Sequence, residues 1–143
     1  MGFDFDMDEV QGTGYVRADH SLHALSVEVD EILDMTVTDG DIAVTDTETT
    51  LYIDNAPTKI INGLSIMIDT TVIEAADGFD FKVYYRIALG GDLKASEKVT
   101  KSGVQSEPIY VIALDAYRYG MKVTAQRTSG TNRTFPIEVV REA

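Results

Sequence analysis

Cysteine and tryptophan are both absent from this chain of 143 residues. The first absence excludes a disulfide framework, a thiolate metal site and a thiol nucleophile, and it fits a reducing compartment. The second weighs against a sugar-stacking surface, which draws on broad aromatic faces. No apolar run approaches the roughly 20 residues that a bilayer-spanning helix needs, so no membrane partner is expected. The start, Met1-Gly-Phe-Asp-Phe-Asp-Met-Asp-Glu9, is acidic where a secretory signal is basic and then apolar, and Asp6 stands where a myristoylation motif needs Ser or Thr. Base is scarce in the first part of the chain: residues 1–80 carry 18 Asp and Glu against only Arg17 and Lys59.

What is present fits one domain, since a chain of this length buries about two thirds of its unfolded surface. The net charge is -12, but residues 81–143 hold 10 bases against 6 acids. An acidic part is thus followed by a mildly basic one. Such a separation reads as a solvated face, or as complementary patches that hold neighbouring copies together. An overall acidic chain is repelled by phosphate, so nucleic acid is not an expected partner.

Hydrophobic spacing is that of strands almost throughout. Phe3, Phe5 and Met7 alternate with Asp4, Asp6 and Asp8, which makes residues 1–13 an N-terminal arm or first strand and leaves 14–143 for the main domain. Leu25, Val27 and Val29 alternate with polar residues, and Ile32 to Val37 continue the strand past a bend before a turn at Thr38–Asp41. Ile42–Val44 and Leu51–Ile53 predict two short strands or one long irregular one. Asn62-Gly63 predicts a type I′ hairpin turn pairing 59–61 with 64–69, and Thr70 to Glu74 extends that run. Phe79, Phe81, Val83, Tyr85 and Ile87 form the longest period-two series. Leu93–Lys101 reads as a connection or a lysine-protected edge strand. Ile109–Leu114 is continuously apolar and predicts a strand buried on both faces. Met121–Ala125 and Phe135–Val139 then predict a closing hairpin through Ser129-Gly-Thr-Asn132, with Pro136 on an edge or at a bulge. Many short strands, turn residues between them and no capped helix predict an all-β antiparallel β-sandwich, with jelly-roll connectivity among the options.

No residue cluster dictates a chemistry. His20 and His23 are three apart in extended sequence, where they point to opposite faces. The Asp4–Asp8 string begins like a calcium-binding loop but lacks its glycine and its closing glutamate. The acidic turn at Asp39–Asp41 reads as solvated, and Asn132-Arg-Thr134 as a turn and not a glycan acceptor. There is no nucleophile elbow and no phosphate loop. Neither catalysis nor a cofactor or metal is expected. Tyr84, Tyr85, Tyr110, Tyr117 and Tyr119 are the residues on which a carbohydrate- or receptor-binding module would draw.

The closing stretch carries one resemblance. Gly120-Met-Lys-Val-Thr-Ala-Gln-Arg-Thr-Ser-Gly-Thr-Asn-Arg-Thr-Phe135, in which Gln126 to Thr131 end one strand and Asn132 to Phe135 lead into a final one, resembles the closing strand pair of small β-sandwich virion proteins of tailed bacteriophages. The resemblance implies a non-enzymatic structural protein of the virion, a capsid decoration (cement) protein or else a tail or neck accessory, present in symmetric copies. A homo-oligomer, with a trimer favoured, bound to the major capsid protein or another virion protein is the corresponding expectation. Phe3, Phe5 and Met7 of the arm, with Arg127 and Arg133 flanking the turn, are the expected partner-binding residues.

Overall fold

A computed structural model describes residues 35–142. The chain divides near Met35 into two units, and the described residues make up the second. The expected arm at 1–13 with Phe3, Phe5 and Met7, the His20 and His23 pair and the strand expected at Leu25–Val29 lie outside the described residues.

Eight strands occur among the described residues, and no helix. In chain order they are β1 (Met35–Val44), β2 (Thr49–Asp54), β3 (Ile61–Asp69), β4 (Gly78–Tyr85), β5 (Lys94–Ser102), β6 (Ile109–Tyr117), β7 (Met121–Ser129) and β8 (Arg133–Glu142). They form two sheets, ordered β1-β8-β3-β6 and β2-β7-β4-β5. Strand β3 runs antiparallel to both β6 and β8, and β7 antiparallel to both β2 and β4, which in turn pairs antiparallel with β5. Every connection crosses from one sheet to the other except β4–β5. This is the double Greek key of a jelly roll.

Alternation explains the layers. On β4 the side chains of Phe79, Phe81 and Val83 point inward, on β3 those of Leu64, Ile66 and Ile68, on β7 Met121, Val123 and Ala125, and on β8 Phe135, Ile137 and Val139. Phe135 packs edge-on against Phe79 and Phe81, with ring centroids 5.0 and 5.7 Å away, and so joins the sheets at the centre of the core. Ile73, from the β3–β4 loop, closes one end of it.

Four local expectations are corrected. Asn62-Gly63 is not a hairpin turn but lies inside β3, where Gly63 has φ +87° and shifts the inward phase between Ile61 and Leu64. The ladder partners there are distant, Ile61 with Tyr117 and Leu64 with Leu114 and Arg141. Asp39-Gly-Asp41 likewise lies within β1. Strand β3 stops at Asp69, whose carboxylate accepts from the Thr71 N–H at 3.0 Å and bends the chain out of the sheet before the β-branched run can extend it. Ile87 lies beyond the end of β4, which stops at Tyr85.

The largest correction concerns β7 and β8. They do not pair with each other, because each directs one apolar face into the core from opposite sheets. The Ser129–Asn132 turn is an inter-sheet crossover. Pro136 sits in a central strand, one residue beyond the last β3 pairing at Ile137. Replacing Phe135 by Ala should lower stability by about 3–5 kcal/mol, as expected for emptying a large aromatic site, and urea unfolding will measure it.

Candidate functional site

The crossover between β7 and β8 is built around one carboxylate. Asp77 is buried, and its oxygens accept from Thr131 N–H at 2.9 Å, Glu74 N–H at 2.9 Å and Arg133 Nε at 2.8 Å. Its backbone carbonyl accepts from Gly103 N–H at 2.9 Å. Three connections therefore meet on one residue. Gly130, at φ +79°, is required beside it, since a Cβ there would lie 2.2 Å from Asp77 Oδ1 and 2.6 Å from its Cα. The Arg133 guanidinium, then the Thr131 and Glu74 N–H groups, hold the Asp77 carboxyl down to about 2.

Both arginines expected to bind a partner act within the chain here. Arg133 holds Asp77, and its Nη2 lies 3.8 Å from Glu74. Arg127 donates from Nε to Asn132 Oδ1 at 2.7 Å and from Nη1 to Gly130 O at 2.8 Å, with Asp46 at 3.9 Å. Each keeps 24% of its side chain exposed.

The opposite end is fastened by Arg86, which sequence reasoning did not single out. Its guanidinium donates to Asn55 O, to Asn55 Oδ1 at 2.9 Å, to Tyr119 O at 3.0 Å and to Gly91 O at 2.6 Å. The β2–β3, β4–β5 and β6–β7 loops are thereby locked together. Gly120, at φ +137°, allows the close approach, because a Cβ there would meet Asn55 O at 2.7 Å. On this fastened loop Ile87 and Leu89 stand 88% and 86% exposed.

The two outer sheet faces differ in chemistry. On β2-β7-β4-β5 the face is polar: Tyr84 OH donates to Glu48, and so does Thr124 Oγ1 at 2.6 Å. These bonds, from Thr124 and then Tyr84, hold the Glu48 carboxyl below its usual range. Lys122 lies over the Tyr84 ring at 4.7 Å, Lys101 over Tyr110 at 4.6 Å and Arg118 over Tyr119 at 5.2 Å. Each of these rings thus carries a cation on one face, which leaves less stacking surface for a sugar. Tyr117 is buried and donates to Asp54 at 2.8 Å; burial and then that bond push its hydroxyl up.

The outer face of β1-β8-β3-β6 is apolar around its edge. Met67 lies opposite Val111 and next to Glu138, and Ile109 opposite Asp69. Ile109 is 55% and Val111 50% exposed, so Ile109–Leu114 is buried on one face only, contrary to the expectation for a continuous apolar run. Met67, Ile109, Pro136 and Ile137 line a groove of about 380 Å³, with Asp69 and Glu138 also bordering it. Among the described residues no group of three or more metal-ligating side chains is present.

No protein-family model matches the chain, and no curated protein sequence does. Among solved structures, a protein of Bacillus endospore appendages, described as a novel family of disulfide-linked pili, is similar over 76% of this chain and 86% of its own, at 16% identity and a TM-score of 0.45. PirA is similar over 75% of this chain and 93% of its own, at 10% identity and a TM-score of 0.43. At these scores neither likeness establishes shared ancestry or shared activity.

The Asp77 carboxyl predicts an acid response. Its folded-state value of about 2 lies below the ordinary 3.8, so its contribution is complete above about pH 5 and is lost as pH falls from there toward 2. Thermal melts across that window should fall steeply for the wild type. Asp77→Asn should melt several degrees lower at pH 7 and show a shallower decline between pH 4 and 2; parallel curves would refute the assignment.

Proposed function

We propose that this chain is a non-enzymatic structural protein that works by assembling with further copies and with a shell, as a capsid decoration protein of a tailed-phage virion. The observation that carries the reading is the apolar face of exposed Ile109, Val111 and Pro136 beside half-buried Met67, on a sheet whose edge strand is itself uncharged from Ile109 to Leu114. Contiguous apolar surface of this kind marks an interaction site in a water-exposed protein. The strongly shifted carboxylate, Asp77, supports the non-enzymatic part, because its oxygens are occupied by the fold.

The resemblance of the Gly120–Phe135 stretch to virion proteins, carried by its residue pattern and not by hairpin pairing, supports the shell as destination and the major capsid protein as partner. A jelly roll suits such a role but also serves unrelated ones, so topology adds only compatibility. A symmetric oligomer, a trimer in the first instance, uses the apolar face between copies. The arm residues Phe3, Phe5 and Met7, together with the exposed parts of Arg127 and Arg133, are the proposed contacts to the shell.

The purified chain should sediment as an oligomer at micromolar concentration, bind undecorated tailed-phage capsids saturably and raise their melting temperature. A protein that remains monomeric, does not bind and leaves capsid stability unchanged would overturn the proposal.

A further inference from the structure

We infer that copies of this chain join head to tail, with the Ile87–Leu89 loop of one copy seated in the Met67–Ile109–Pro136 groove of the next. The inference rests on the assembly reading above and names the contact that would perform it. Both halves of the contact are already formed in a single chain. Ile87 and Leu89 are the most exposed large apolar side chains among the described residues, yet their loop is fastened at its base by Arg86 and tightened by a Gly91 N–H to Ala88 O bond of 3.0 Å. A knob that is already ordered loses little conformational entropy on docking. The groove offers a receptor of matching character, walled by Met67, Ile109, Pro136 and Ile137.

Position makes the occupant a second copy. Strand β4 carries the chain to the loop end of the sandwich at Tyr85, whereas the groove lies at the opposite end of β3, at Met67 to Asp69, where β6 begins with Ile109. The length of β3 separates these ends by about 27 Å at the usual rise per residue. One copy therefore cannot place its knob in its own groove. Charge points the same way: Asp69 and Glu138 border the groove, while exposed Lys94 and Arg118 flank the knob, with Asp92 as the one acid on that loop. Opposite signs meet in the head-to-tail arrangement, whereas knob-to-knob or groove-to-groove pairing brings like charges together.

Because knob and groove are different surfaces, the contact is heterologous, and it makes a closed ring or an open filament according to the rotation between copies. The groove opens through a sheet face and the knob stands at the end of the sandwich. Successive copies are therefore turned relative to one another, as in a closed ring or a helical filament.

The cysteine-free chain permits a direct test. Leu89→Cys and Met67→Cys proteins, mixed and treated with a short thiol crosslinker, should give a dimer carrying one of each, with little from either alone. Ile87→Asp with Leu89→Asp should weaken assembly at least about tenfold, a loss of about 1.4 kcal/mol, while the melting temperature of the monomer stays unchanged. Crosslinking of Leu89→Cys to itself as readily as to Met67→Cys would overturn the head-to-tail order. A Met67→Cys thiol shielded from reagent in the isolated monomer would mean that its own chain fills the groove, and would overturn the contact. If wild type and the Asp variant assemble and bind capsids equally, this inference fails while the structural reading stands; if wild type neither assembles nor binds, both fail.

Discussion

The jelly roll depends on its last two strands parting company, and the buried carboxylate of Asp77 is what holds them apart. Strands β7 and β8 follow each other closely enough to zip into a hairpin, yet they enter opposite sheets. Thr131 and Arg133, on the crossover, are both bound to Asp77, and Gly130 leaves room for that carboxylate to approach. Glu74 and Gly103 are held by the same residue, so the β3–β4 and β5–β6 connections are fixed with the crossover. At the other end Arg86 does the corresponding work with carbonyl acceptors. A charged group with several hydrogen-bond partners at each end, Asp77 buried and Arg86 half-buried, sets the geometry of loops whose local propensities alone leave them free.

Part of the charge gradient along the sequence is matched within the chain. All five ion pairs among the described residues join an acid from the first 80 residues to a base from the remainder: Asp46 to Arg127, Asp54 to Arg141, Glu74 and Asp77 to Arg133, and Asp80 to Lys98. A jelly roll places early and late strands side by side, which makes this pairing possible. The exposed members contribute little individually. Four of the five tie together parts of the chain that are far apart in sequence, whereas Asp80–Lys98 joins the consecutive strands β4 and β5.

Much of this fold was legible in the sequence, and the boundary of legibility has a physical cause. Period-two spacing reveals which face of a strand is buried, so Phe79, Phe81 and Val83 or Phe135, Ile137 and Val139 could be assigned inward. It does not reveal which strand lies alongside, since that is decided by contacts such as Phe135 on Phe79, 56 positions apart in the chain. Hence Asn62-Gly63 and Ser129–Asn132, both good hairpin chemistry, serve instead as an in-strand twist and an inter-sheet crossover. The apolar surfaces were less legible still. Ile87 continues the alternation of β4 without a break, and only the end of the strand at Tyr85 turns it from core residue to knob.

The edges of the sandwich differ in how they are protected against strand addition. Strand β5 ends its sheet with Lys94, Lys98 and Lys101, and β1 ends the other with Asp39 and Asp41, both charged rims of the kind that discourage edge pairing. Strand β2 is only six residues long and is interrupted by a register shift after Thr50. Strand β6 alone lacks these protections from Ile109 to Leu114. Left bare, such an edge would invite indiscriminate association, and its outer side chains border the groove that we assign to a neighbour's loop. Filling that groove with a rigid knob of fixed position and opposite charge would make the least protected part of the surface the most specific. The proposed contact would thus cover the apolar strand that a lone subunit leaves exposed to water.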